Sequence, residues 1–153
     1  KELFEKYHGR VPFVKELMSL ASKSANDNGQ VRTILGRLCH FDLYEPTKWG
    51  VHKPLPRDEA IRKYGSNLKR AFTYKALNKL IQGSAADQTK KAMVEVYKAG
   101  ITPHIQVHDE LNCSCQDQEQ VKQIKDIMEN CIELEVPSKV DPKLGESWGN
   151  LKS

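Results

Sequence analysis

No apolar run in the 153 residues approaches the ~20 needed to cross a bilayer as a helix, and no basic-then-apolar leader pattern opens the chain. A membrane span is therefore not expected in these residues. The four cysteines, Cys39, Cys113, Cys115 and Cys131, include no CxxC pair. Without that spacing or a secretory context they read as reduced, mostly buried thiols in a cytoplasmic compartment. Internal repeats and low-complexity tracts are also missing. The chain lacks an initiating Met and begins Lys1-Glu2-Leu3-Phe4, so it is expected to be a piece of something longer.

Apolar residues make up 39% and charged residues 29%, which suits a soluble globular protein and excludes a disordered tail. The length supports one ordinary core better than two. The net charge of +4 is small but unevenly spread. Residues 62–98 hold nine basic side chains against two acidic, whereas residues 109–146 hold ten acidic against four basic. An anion-binding surface beside a cation-binding pocket produces such a pattern, and a solvated helix face explains the basic half nearly as well.

Along the chain, Val14, Leu17, Met18, Ala21 and Ala25 recur at helical spacing between Pro12 and Asn28-Gly29, which predicts an amphipathic helix over 12–28. "QVRTILGRLCHF" (30–41), with β-branched residues around Gly36, reads as a short hairpin. Residues 42–56 carry three prolines and no periodicity, so an irregular excursion is expected. A short helix over 57–64 should stop at Gly65. A longer one is expected after Ser66, on the spacing of Leu68, Ala71, Phe72, Ala76, Leu80 and Ile81. Gly83 should interrupt it, and Ser84 with Asp87 should cap a new helix running to Gly100. Asp117 with Gln120 caps a last helix over 117–132, and the tail "LEVPSKVDPKLGESWGN" reads as an edge strand broken by Pro137 and Pro142.

The chemistry concentrates in "HIQVHDELNCSC" (104–115), where Asp109 and Glu110 stand side by side within β-type sequence. In one straight strand Asp109 would share a face with Ile105, Val107, Leu111 and Cys113, and its charge would be costly. A tight hairpin turning at His108-Asp109 instead exposes both carboxylates at the tip, since these two residue types tolerate left-handed backbone. Either way the carboxylate is presented to something. Hard oxygen donors of this kind suit Mg²⁺, although adjacent carboxylates are also common as solvated turn residues. Antiparallel pairing of 104–107 with 110–115, joined by the tail strand and covered by the 84–99 and 117–132 helices, makes an α+β fold.

"QVHDEL" (106–111), "NKLIQGSAADQTKKAM" (78–93), "GQVRTILGRLCHF" (29–41) and the ending "GESWGN" (145–150) together resemble segments of family A DNA polymerases, the DNA polymerase I type of phages and bacteria. The resemblance covers nearly the whole chain with the motifs in order. It implies a distal fingers segment over 1–83, including the 42–56 loop, and a C-terminal palm subdomain over 84–153. It also implies nucleotidyl transfer to a primer 3′-hydroxyl, with two Mg²⁺ ions about 3.5–4 Å apart. Asp109 carries over as a metal-binding catalytic carboxylate and Glu110 as its auxiliary neighbour. Asn78, Gln82 and His108 match positions that reach the primer–template minor groove. Donors there test base-pair geometry without reading sequence.

The family commonly places Arg or His four residues before the Asn; here Tyr74 stands there, followed by Lys75, so both are weaker DNA-contact candidates. Arg70, Lys69 and Lys79 are candidates for phosphates. The second essential aspartate, from a DYSQIELR-like palm motif, and the Lys…Tyr-Gly fingers helix do not occur in the sequence. The implied partners are therefore primer–template DNA, deoxynucleoside triphosphates and the remainder of the polymerase polypeptide, with no membrane. The isolated chain is expected to be inactive. Two other readings stand beside this one. His104, His108, Cys113 and Cys115 could stabilise a zinc module, or the chain could be a non-catalytic nucleic-acid-binding subunit.

Overall fold

The computed structural model describes residues 2–151; Lys1, Lys152 and Ser153, inside the 1–83 and 84–153 divisions drawn above, lie outside the described residues. The chain is α+β. Its backbone contacts group into two compact units that meet between Ser84 and Ala85.

The first unit opens with helix α1 (Glu2–Arg10), for which the sequence offered no separate signal, and then α2 (Pro12–Asn28). Pro12 sits in the first turn of α2, where its missing N–H costs nothing, and Gly29 ends it at φ 71° with its amide on the Ala25 carbonyl. Of the predicted apolar stripe, Ala21 and Ala25 are buried whereas Leu17 and Met18 are each 44% exposed. The small residues let the next hairpin approach. Strands β1 (Gln30–Arg32) and β2 (Leu38–His40) pair antiparallel with Val31 opposite Cys39, as expected. Ala21, Ala25, Val31, Phe41 and Ala76 form the core of this unit, with Cys39, Leu77 and Leu80 packed against it.

Residues 42–56 are less irregular than their prolines imply. They contain β3 (Leu43–Pro46) and β4 (Leu55–Pro56), and β3 is the middle strand of a three-stranded antiparallel sheet. Pro56 lies on β4, an edge strand, where proline is tolerated, and Pro46 is the last residue of β3. Helix α3 (Arg57–Tyr64) follows and stops at Gly65 as predicted. The third strand, β5 (Leu68–Arg70), corrects the helix expected after Ser66. Its backbone pairs with β3, Tyr44 opposite Arg70, so long-range pairing overrides the helical spacing of Leu68 and Ala71. Phe72 then takes a left-handed conformation, φ 62°, and a 3₁₀ turn at Thr73–Lys75 leads into helix α4 (Ala76–Lys98).

Helix α4 runs through Gly83 without a break, which corrects both the interruption and the Ser84–Asp87 capping box. The Ser84 hydroxyl caps nothing in its own helix. It donates to the Leu80 carbonyl at 2.8 Å and accepts the Ile34 amide at 3.1 Å. Gly83 is small because the β1–β2 hairpin lies against it: a Cβ there would stand 2.7 Å from Cγ2 of Thr33.

In the second unit, β6 (Pro103–Val107) and β7 (Glu110–Cys113) form the expected hairpin, with Val107 opposite Glu110 across His108-Asp109. Helix α5 (Gln118–Asn130) starts where predicted, its Asp117 carboxylate accepting the Gln120 amide at 2.9 Å, and ends two residues short of the 132 expected. The tail is not a strand, so the sheet has two strands where three were expected. Residues 131–147 run without regular structure because Pro137 and Pro142 supply no amides for a ladder, and side chains hold them instead. Glu129 accepts the Val140 amide at 2.8 Å, and Gln88 donates to the Ser138 hydroxyl at 3.1 Å. No helix of the described residues is long and apolar enough to cross a membrane.

Candidate functional site

The β6–β7 turn has only two residues, so one of them must take positive φ to match the twist of the strands. His108 does so, at φ 53°. The Gln106 side chain supports that conformation by donating to the His108 carbonyl at 2.7 Å. Sequence reasoning missed Gln106; its only signal was a polar residue two places before the turn. Asp109 and Glu110 are exposed, and among the described residues no hydrogen bond or ion pair occupies either carboxylate. Of the two alternatives left open by sequence, the hairpin tip is the one adopted.

Two adjacent, solvent-facing carboxylates fit Mg²⁺ in donor chemistry, since that ion takes one or two protein carboxylates and fills its shell with water and phosphate oxygens. They do not suffice for two ions. No group of three or more His, Cys, Asp or Glu among the described residues is arranged to hold a metal. The zinc arrangement also lacks its geometry. A register shift between Pro103 and Ile105 leaves His104 outside the paired register, and its Nε2 lies 3.1 Å from the Ser114 hydroxyl. Burial pushes the Cys113 thiol up, with Cys115 adding to it; burial and then Asp117 do the same for Cys115.

The other candidates lie in the first unit. Asn78 and Gln82, four apart in α4, share a helix face and are both exposed. Beneath them the β1–β2 hairpin is pinned to the helix: Arg37 Nη2 donates to the Gly83 carbonyl at 2.8 Å and the Ser84 hydroxyl accepts from Ile34. Arg37, Thr33 and Ser84 thus fix the turn of helix that carries Gln82. Gly83 within a helix pattern was their one visible signal.

Tyr74 is 67% exposed and Lys75 lies over the Phe72 and Tyr74 rings, 4.8 and 5.7 Å from their centroids. Arg70 is placed differently. Its Nε donates to the Asn26 carbonyl at 3.2 Å and Nη1 to the Phe41 carbonyl at 3.0 Å, with the guanidinium over the Tyr44 ring. Gly29 makes room for it, since a Cβ there would meet Cζ at 2.6 Å. Lys69 pairs with Glu45 at 3.3 Å, and Lys79 donates to the His40 carbonyl at 3.2 Å above the Phe41 ring.

Residues 1–150 match the profile of the family described as DNA polymerase family A. A DNA-directed DNA polymerase of Pseudomonas phage M6 is 39% identical over 148 residues, covering 97% of this chain and 19% of that protein. DNA polymerase I of Caldicellulosiruptor bescii is 36% identical over 162 residues, covering 99% of the chain and 17% of that protein. Among solved structures, the POL domain of Pol1 from M. smegmatis, in complex with DNA primer-template and dNTP, superposes with a TM-score of 0.71 at 28% identity. That match covers 95% of this chain and 24% of the other. The chain therefore spans about a fifth of the length of these curated relatives. From the profile matched along its length and the relatives that share its sequence from end to end, the chain belongs to DNA polymerase family A.

Proposed function

We propose that the chain supplies one carboxylate cluster and the minor-groove contacts of a DNA-directed DNA polymerase, and that catalysis needs the palm and fingers segments it lacks. The observation that carries this reading is the His108-Asp109 turn, which presents Asp109 and Glu110 exposed and unpaired at the tip of a hairpin. On this reading residues 1–83 are distal fingers and 84–153 C-terminal palm. Asp109, with Glu110 beside it, would hold Mg²⁺ against the triphosphate. When bound, the two ions of such a site neutralise phosphate charge and favour the deprotonated primer 3′-hydroxyl. Asn78, Gln82 and His108 donate to the base-pair acceptors of the minor groove. Arg70 is assigned to the fold, because its guanidinium is committed to the Asn26 and Phe41 carbonyls. The partners are primer–template DNA, deoxynucleoside triphosphates and the rest of the polymerase, in a bacterial or phage-infected cytoplasm.

The test uses the assembled polymerase, meaning this chain together with the missing segments. Asp109→Asn keeps size and removes charge, so single-turnover incorporation should fall by several orders of magnitude while primer–template affinity stays within about tenfold, phosphate contacts dominating that affinity. The purified chain alone should incorporate no nucleotide. Wild-type incorporation by the Asp109→Asn enzyme at saturating Mg²⁺ would reduce the carboxylates to turn residues.

A further inference from the structure

The segment from Thr47 to Pro54, between β3 and β4, carries Trp49 at 102% and Val51 at 105% exposure. A tryptophan left wholly in water is unusual, because its ring is the largest apolar surface a side chain can bury. The neighbouring residues hold it there. Gly50 adopts φ 148°, and a Cβ on it would lie 3.0 Å from Nε2 of His52, so the backbone rests against the imidazole. The His52 ring meets the Tyr64 ring edge-on at 5.7 Å between centroids, and the Tyr64 hydroxyl donates to the Lys53 carbonyl at 3.2 Å. The inner side of the loop is therefore tied to α3, and Trp49 and Val51 are its outer side. Charge along this stretch of chain is uneven: residues 47–65 carry Lys48, Lys53, Arg57, Arg62 and Lys63, all exposed, against Asp58 and Glu59.

We propose that this loop is a stacking platform for single-stranded nucleic acid, with a base laid on the Trp49 indole and the flanking phosphates neutralised by Lys48 and Lys53. An open π-face flanked in sequence by exposed cations matches the alternation of base and phosphate along an unpaired strand, and stacking tolerates any base. Charge complementarity selects this occupant over a protein, since an apolar Trp-Val tip would meet a protein surface without needing the exposed Lys48 and Lys53 on either side of it in the loop. The inference rests on the polymerase reading, which supplies a single-stranded template beyond the primer terminus.

In the assembled polymerase, affinities are measured for two primer–templates, one with a 12-nucleotide and one with a 1-nucleotide template overhang. Trp49→Ala should weaken the long-overhang complex about 5- to 150-fold, the range of one base stack, and leave the short-overhang complex unchanged. Trp49→Phe should recover most of the loss. Because the indole is exposed, the melting temperature should not move. Equal affinity of Trp49→Ala and wild type for the long overhang would overturn the inference while leaving the polymerase reading intact. A drop of several degrees in melting temperature would also overturn it, placing Trp49 in a protein interface instead. Failure of the wild-type enzyme to bind either duplex would sink the polymerase reading itself.

Discussion

Gly83→Ala sets two opposing effects against each other within one turn of α4. Replacing glycine inside a helix by alanine gains ~1 kcal/mol of propensity. Against it, the new Cβ would stand 2.7 Å from Thr33 Cγ2, 3.4 Å from Arg37 Nη2 and 3.7 Å from Cys39 Sγ. Ordinary carbon–carbon contact lies at about 3.5–4.0 Å, so the first of these falls short by roughly 1 Å. Thr33 has little freedom to yield: it is buried, β-branched, and its hydroxyl accepts the Arg37 amide at 3.0 Å. Overpacking of this kind costs ~1–3 kcal/mol, so it outweighs the propensity gain and leaves a net loss of about 1 kcal/mol. For a chain of this size that lowers the melting temperature by about 2–4 °C, readable by circular dichroism on the purified chain. Thr33→Ser deletes the offending methyl and keeps the hydroxyl. In that background Gly83→Ala should stabilise by ~1 kcal/mol, so its effect reverses sign between the two backgrounds and the double-mutant cycle gives a coupling of about 2 kcal/mol. A melting temperature raised by Gly83→Ala in wild type, with no coupling to Thr33, would refute the close approach of hairpin and helix.

Gln82→Ala in the assembled polymerase removes a donor worth ~1–3 kcal/mol, so extension from paired primer ends should fall far less than in Asp109→Asn; equal losses in the two variants would contradict the division of roles. Arg70→Lys cannot reach both carbonyls with its single ammonium and should destabilise the chain by ~2 kcal/mol in urea unfolding, with primer–template affinity unchanged; the reverse pattern would make Arg70 a DNA contact. Burial raises the Cys113, Cys115 and Cys131 thiols, which lowers their thiolate fraction at any given pH. Site-resolved alkylation at pH 8 should accordingly be slower at these three than at free cysteine, with the rate rising only at more alkaline pH; faster reaction would show an activated thiol.

Elements governed by local chemistry were legible in the sequence. The Pro12 start and Gly29 stop of α2, the Gly65 stop of α3, the Asp117 cap of α5 and the two-residue turn at His108-Asp109 each follow from one or two residues whose backbone preferences dominate. What failed was decided at a distance. Leu68–Arg70 is a strand because β3 lies alongside, and Gly83 is a contact point because Thr33 approaches it, and neither partner is near in sequence. The tail strand was expected from composition, yet its prolines withhold the amides a ladder needs. In the site, residues with a charge or a side-chain amide in a motif could be named from sequence. Their supports, Gln106 and Arg37, hold backbone carbonyls, and that use leaves no mark in a residue pattern.

The shortness of the β6–β7 turn also bears on when the site forms. Its cross-strand pairs join residues close in sequence, from Val107 with Glu110 outward to Pro103 with Cys113, so the loop to be closed is small and little chain entropy is lost in closing it. Hairpins of this kind form in about 1–10 μs, well before distant strands find each other. A two-stranded ribbon is nonetheless marginal in water by itself. The carboxylates can thus be brought to the tip at the outset of folding by the local sequence of residues 103–113, and become rigidly held only when other structure closes over the ribbon.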